Sequence, residues 1–320
     1  MPTPIPAVSI IVPVYRTTAY IAGTLDSALA QTFTDFELIL VNDGCPDTEN
    51  LERVLEPYMS RIVYVKQPNG GPGGARNTAV RMARATWVAM LDSDDFWESD
   101  YLATQMKLLE QDPTIDVIYP DAVFFGETPD VGKTFLQYFP PQGQPTFLNI
   151  LNGNCHVFAQ VTARKDVLIR AGLYDPALVS AEDLDLWLRV AKIGGRITYH
   201  DRVLVRYRCR AESQSNDPVR NLEHTIRVVE KLVQRDDLTG PERLAVTKQL
   251  EKEKAFLHFE KGRKALYQGD TGVALVQLAA ANRYFRRPKD ALIVGLLRIA
   301  PRLAYWLTRF RYYPGISHAA

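Results

Sequence analysis

Cysteine is scarce in this 320-residue chain, with only Cys45, Cys155 and Cys209 at wide spacing. Such a set supports neither a disulfide framework nor a CxxC metal knuckle, and it points to a reducing, cytoplasmic setting. Long apolar runs are missing as well: none reaches the roughly 18 uncharged residues that a spanning helix needs. The opening MPTPIPAVSIIVPVY has no basic n-region and no small-residue cleavage site, so it reads as a β-strand rather than a signal peptide. Nor is there an excess of charge of one sign. With 38 Lys and Arg against 37 Asp and Glu, the net charge of +1 excludes a protein defined by nucleic-acid binding or by an acidic tail. What is present is 46% apolar residues, enough to bury a core in one large or two modest domains.

The first half alternates between two periods. Apolar runs rich in β-branched residues at 8–14, 36–41, 62–65, 87–91 and 117–125 are separated by helical spacing at 18–31, 47–58, 73–85 and 99–111. This alternation predicts an α/β sheet of parallel strands with crossover helices. Ligands of such sheets bind beyond the carboxyl ends of the strands, near a topological switch point. Residues 127–154 are rich in proline and glycine and read either as a lid or acceptor loop or as a surface excursion with short strands. Helices are expected at 164–171 and 181–193, and strand-like segments at 196–199 and 203–209. Beyond 217 the pattern turns helical, with 241–268 and 272–284 predicted to form an antiparallel hairpin.

Four motifs carry candidate chemistry, three at strand ends and one at a helix start. In Leu91-Asp92-Ser93-Asp94-Asp95, hard carboxylate oxygens suit Mg²⁺ or Mn²⁺ shared with substrate phosphates; the competing reading is a cap for a helix starting near Ser99. Asp43 can accept the ring N–H of a uracil or guanine, or simply serve a turn before Gly44. The stretch from Asn69 to Asn77 holds four glycines before a helix, with Arg76 as a fixed positive charge. It lets backbone approach a phosphate or ribose, or serves the turn alone, and it lacks the ending of a P-loop. Ser180 with Asp183 suggests a capping-box-like start to an amphipathic helix, which leaves Glu182 and Asp185 as surplus carboxylates. One carboxylate there is placed to act as a general base toward a hydroxyl.

Taken in order, VSIIVPVY at 8–15, VNDG at 41–44, GARN at 74–77, LDSDD at 91–95, GLYD at 172–175 and EDLDLWLR at 182–189 resemble family 2 glycosyltransferases. The resemblance covers about residues 7–215. It implies a GT-A fold, Rossmann-like with a mostly parallel central sheet, and an inverting transfer of a sugar from a nucleotide diphosphate to an acceptor hydroxyl. On that resemblance Pro13, Tyr15, Asp43, Arg76 and Ser93 would contact the donor nucleotide, with Asp92 facing the ribose. Asp94, together with Asp92, would hold Mn²⁺ or Mg²⁺. Asp183 would be the catalytic base, and Glu182 and Trp187 would shape the acceptor side. Some members supply a further metal ligand from a histidine near the end of the catalytic domain. Here residues 205–215 hold Arg208 and Arg210 and no histidine, which leaves the arginines to hold the diphosphate directly. His200 nearby reads as an ordinary strand-end residue.

The net charge conceals a split. Residues 281–320 hold eight Lys and Arg and one acid, Asp290, for a charge of +7, against −6 for the preceding 280 residues. Arg298, Arg302 and Arg309 fall within about 40° of one another at 100° per residue, opposite Leu292, Leu296, Leu303, Trp306 and Phe310. That pattern fits an interfacial helix on anionic lipid or a helix docked on its own protein, and Pro301 breaks it into two.

The expectation is therefore a catalytic domain over 1–217, with the nucleotide sugar bound by 1–126 and the acceptor side formed by 127–217, followed by a helical region over 218–320. The expected donor is a UDP-sugar and the acceptor a saccharide or lipid-linked saccharide, in surface polysaccharide or glycolipid assembly. Contact with an anionic membrane through 290–311 would place the enzyme at the inner membrane face. The rival readings are a nucleotidyltransferase and a non-catalytic sugar-nucleotide-binding protein.

Overall fold

A computed structural model describes residues 4–210 and 217–308. The chain divides into two compact units, residues 1–211 and 212–320.

The first unit is built on β1 (Val8–Val14), β2 (Phe36–Asp43), β3 (Val63–Gln67) and β4 (Trp87–Met90), which are parallel where they pair. Between them run α1 (Ile21–Leu29), α2 (Thr48–Leu55) and α3 (Gly71–Met82). All but Pro13 of β1 is buried, as is the whole of β4, because helices cover the sheet on both sides. After β4 come β5 (Phe96–Trp97), α4 (Tyr101–Gln111), β6 (Val117–Gly126), α5 (Phe135–Tyr138), α6 (Phe147–Leu151), β7 (Thr162–Arg164), α7 (Lys165–Arg170), α8 (Glu182–Lys192) and β8 (Ile197–Cys209).

The sheet order is β3-β2-β1-β4-β7-β6-β8-β5. It departs from an all-parallel sheet because three-residue β7 enters antiparallel between β4 and β6, and β5 lies antiparallel on β8. The two strand-like segments expected at 196–199 and 203–209 are one strand, whose pairing with β6 shifts register around Asp121. The chain moves from β1 outward to β2 and β3, then returns to β4 on the other side of β1. That reversal is the topological switch point, and the carboxyl ends of β1 and β4 flank it.

Residues 127–154, for which short strands were one expectation, hold two short helices and one isolated bridge, Thr134 to Val123. Thr134 closes a capping box on α5, Thr146 caps α6, and Phe135, Phe147 and Ile150 are buried. The start of α8 also differs from expectation. Its N-cap is Ala181, in a left-handed conformation at φ 57° and without a side-chain cap, instead of Ser180.

The second unit contains α9 (Pro218–Val233), α10 (Gly240–Gln268), α11 (Thr271–Phe285), α12 (Pro288–Ile299) and α13 (Pro301–Thr308). Helices α10 and α11 form the expected antiparallel hairpin around Gly269-Asp270. A Cβ on Gly262 would lie 2.7 Å from Leu278 Cγ, so glycine permits the close approach. Pro301 divides the tail into two helices, since it cannot continue the hydrogen-bonded ladder of α12. Arg309, Phe310 and Arg311 lie outside the described residues. No helix among the described residues is long and apolar enough to cross a membrane.

Candidate active site

Side chains from the ends of β1, β2, β4 and β8 and from the starts of α3 and α8 gather around the switch point. At the end of β2, Asp43 is 2% exposed and its Oδ1 accepts from Gln67 Nε2 at 2.7 Å and from Gly70 N at 2.8 Å. It thereby pins the glycine-rich loop that starts α3, the turn role weighed for it, while Oδ2 lies outside these bonds. Gly44 follows at φ +66°, and a Cβ there would meet Asn69 N at 2.7 Å. At the end of β1, Pro13 is half-buried and Tyr15 is exposed. Arg16 then turns left-handed and donates its backbone N–H to Cys45 Sγ at 3.3 Å.

Helix α3 delivers Arg76 into a buried position between carboxylates. Its Nη2 donates to Asp92 Oδ1 at 2.7 Å and its Nη1 to Glu182 Oε1 at 2.8 Å, with the Tyr174 ring 5.5 Å away. Arg76, expected as a fixed positive charge, and Glu182, expected as a surplus carboxylate, engage each other. The next residue, Asn77, exchanges two hydrogen bonds with the backbone of Tyr174, at 2.7 and 2.9 Å. Gly73 eases this close docking, since a Cβ there would lie 3.0 Å from Tyr174 Cβ. The other surplus carboxylate, Asp185, is paired with Arg189 at 2.7 Å, and Arg189 also donates to the carbonyls of Ala171 and Leu173.

The turn after β4 carries the acidic run. Ser93 is buried with its hydroxyl 2.8 Å from that of Thr17. The Asp94 carboxylate meets Arg210 at 2.7 Å, and burial together with the charge of Asp92 pushes its pKa up. Asp95 is fully buried, accepting from Gln160 Nε2 and from Arg208 N at 2.6 Å. Burial and its acidic neighbours hold its pKa well above the usual carboxylate range. The run is therefore not a cap for α4, whose N-cap is Asp100.

Arg208 on β8 donates its Nε to the Asp94 carbonyl at 2.8 Å, and its guanidinium lies 4.5 Å from the ring centres of Tyr20 and Phe125 and 5.1 Å from that of Phe96. Aromatic faces hold the cation by their quadrupoles without supplying a counter-ion. His200 sits within β8, bonded to Gln105, and burial lowers its pKa to about 4. It does not join the acidic run.

At the start of α8, Asp183 is half-buried and its pKa is raised to about 6, first by burial and then by the charge of Glu182. Its Oδ1 accepts from Leu184 N at 2.8 Å. Trp187, expected on the acceptor side, is 1% exposed and forms part of the core behind the helix. Its place one turn along the inward face of α8 explains the difference.

Among the described residues, no group of three or more His, Cys, Asp or Glu side chains forms a metal cage. The acidic run nevertheless fits a divalent ion that brings phosphate and water ligands, because such ions are often held by one or two carboxylates. Asp92 and Asp94 each engage an arginine through one oxygen, leaving the other outside the ion pair. Sequence reasoning missed Gln160, which joins Asp95 to Trp97 Nε1 at 2.8 Å; a lone glutamine before a short strand gives no signal.

A parallel-strand switch point ringed by carboxylates, an aromatic and arginines is where a sheet of this kind binds its ligand. Residues 9–166, just under half of the chain, match the model of Glycosyl transferase family 2, to which this part of the chain is similar. The chain is 29% identical to the chondroitin synthase of Escherichia coli over 193 residues, covering 59% of this chain and 27% of that protein. The chain spans about a third of the length of several Rickettsia glycosyltransferases, covering 35% of the one from Rickettsia felis. Among solved structures, S. aureus TarS 1-349 in complex with UDP-GlcNAc has a TM-score of 0.63 at 19% identity, covering 95% of this chain and 91% of that one. The mannosyltransferase PcManGT from Pyrobaculum calidifontis, in complex with GDP-Man and Mn²⁺, has a TM-score of 0.59 at 22% identity, covering 97% and 86%. These neighbours share the GT-A fold.

Proposed function

We propose that the protein is an inverting glycosyltransferase that moves a sugar from a nucleotide diphosphate, with UDP as the nucleotide, to a saccharide or lipid-linked acceptor hydroxyl in surface polysaccharide or glycolipid assembly. The observation that carries this reading is the Arg76 bridge, which joins the strand-end acidic run to the Glu182-Asp183 pair. Asp43 Oδ2 accepts the base N–H, Tyr15 and Pro13 flank the nucleoside, Ser93 buttresses the turn and Asp92 faces the ribose. Asp94 with Asp92 would hold Mn²⁺ or Mg²⁺, which would supply charge neutralisation to a diphosphate leaving group. Arg208 and Arg210 add fixed positive charge at the same place.

Asp183 takes the proton of the acceptor hydroxyl as its oxygen bonds to the anomeric carbon, and the electron pair of the breaking C–O bond leaves with the diphosphate. A pKa of about 6 leaves Asp183 ionised at neutral pH yet more basic than an ordinary aspartate. Attack opposite the leaving group inverts the anomeric centre, as in an inverting glycosidase. Glu182 holds Arg76 between the two halves of the site. The enzyme acts at the cytoplasmic face of a membrane, where a lipid-linked acceptor is presented.

The test is release of nucleoside diphosphate from a panel of UDP- and GDP-sugars with Mn²⁺, read together with the anomeric proton of the sugar product. An α-linked donor should give a β product, and Asp183→Asn should lose release. A product that retains its configuration, or equal release by the variant, would overturn the reading.

A further inference from the structure

The inner faces of α12 and α13 are already used. Val294, Leu297 and Ala304 pack with Ala265, Leu266, Ala274 and Leu278 of α10 and α11 in one buried cluster. Docking of the tail on its own unit therefore accounts for one apolar face. It leaves a second face open: Leu292 is 74% exposed, Ile299 87% and Trp306 58%, with Leu303 and Leu307 also exposed. Leu292 and Ile299 are seven apart on α12, and Leu303, Trp306 and Leu307 follow i, i+3, i+4 spacing on α13, so each set forms a stripe along its helix.

Bordering residues make the face basic. Arg286, Lys289, Arg298 and Arg302 are exposed, whereas Asp290, the one carboxylate between 281 and 308, is buried. Outward tryptophan and leucine beside exposed arginine and lysine match the two layers of an anionic bilayer surface, acyl boundary and headgroup. A protein partner of ordinary polarity would not call for so uniform a charge.

We infer that the outer face of α12–α13 is a membrane-docking surface that seats Ile299, Leu303 and Trp306 in the acyl boundary of an anionic leaflet while the arginines meet lipid phosphates. The inference deepens the function proposed above by naming the surface that brings the enzyme to a lipid-borne acceptor. Vesicle binding itself does not depend on turnover.

The experiment is flotation of the full chain with phosphatidylglycerol-containing vesicles and with phosphatidylcholine vesicles, alongside Leu303→Asp/Trp306→Asp and Arg298→Glu/Arg302→Glu variants. Both pairs are exposed, so circular dichroism should show unchanged helix content. The wild-type chain should float with the anionic vesicles only, and each double variant should lower the bound fraction by about tenfold or more. Wild-type chain that stays at the bottom, or variants that float as the wild type does, would overturn the inference. So would a dimer by light scattering that Leu303→Asp/Trp306→Asp splits while vesicles bind nothing. Donor turnover that persists without flotation defeats this inference alone, and flotation without turnover defeats only the function proposed.

Discussion

The guanidinium of Arg76 lies 2.8 Å from the carboxylate of Glu182, a residue 106 positions further along the chain. Because its other terminal nitrogen holds Asp92, this buried pair fixes the distance between the half of the site that ends the parallel strands and the half that starts α8. Removing one partner of a buried pair leaves the other charge uncompensated, at a cost of about 3–5 kcal/mol. Arg76→Ala is therefore expected to lower the melting temperature by about 6 °C or more, and Glu182→Gln by less, because an amide still accepts from the guanidinium. Equal melting of Arg76→Ala and wild type would remove the bridge from the account of the site.

Asp183→Asn should lower turnover by about 100-fold or more and leave donor affinity within a factor of about two, since the role proposed for this side chain is toward the acceptor hydroxyl. Titration calorimetry of the donor beside a release assay separates the two effects.

The raised pKa of Asp183 sets a pH limb. A base works only when deprotonated, so activity should climb through about pH 6 instead of near the 3.8 of an ordinary aspartate. Glu182→Gln removes the like charge that is the second cause of the shift, so the limb should move to lower pH. A limb that stays fixed in that variant would point to a different titrating group.

His200 gives a stability signature from a pKa shift of the opposite sign. Its folded-state pKa is lowered from 6.5 to about 4, by burial first and by Arg202 second. The unfolded chain then takes up the proton first, and stability is lost as pH falls from about 6.5 through about 4. His200→Gln should flatten that part of the denaturation profile while leaving donor binding unchanged.

Gly44→Ala tests the loop behind Asp43. At φ +66°, with a Cβ 2.7 Å from Asn69 N, the substitution should cost about 1–3 kcal/mol and weaken nucleotide binding by displacing the loop. A wild-type denaturation midpoint would show that the turn relaxes freely.

The parallel core and the acidic run were legible because they repeat a simple physical rule: buried β-branched runs followed by polar strand ends. Other features were hidden for identifiable reasons. Three-residue β7 carries too little pattern to announce an antiparallel insertion, and Ala181 gives no hint of a left-handed cap. Trp187 belongs to a helix whose acidic first turn faces the site while its second turn faces the core. The roles of Arg208 and Arg210 depend on β8 returning beside the acidic turn, a contact across more than 110 residues that letters alone cannot supply.

Isothermal titration of UDP-sugars into the full chain with Mn²⁺, repeated with EDTA and with Asp94→Asn, addresses donor and metal together. Saturable binding should appear with at least one UDP-sugar and weaken by about tenfold or more in EDTA and in the variant. Absence of binding across the panel, together with no effect of EDTA, would contradict a metal-dependent nucleotide-sugar transferase.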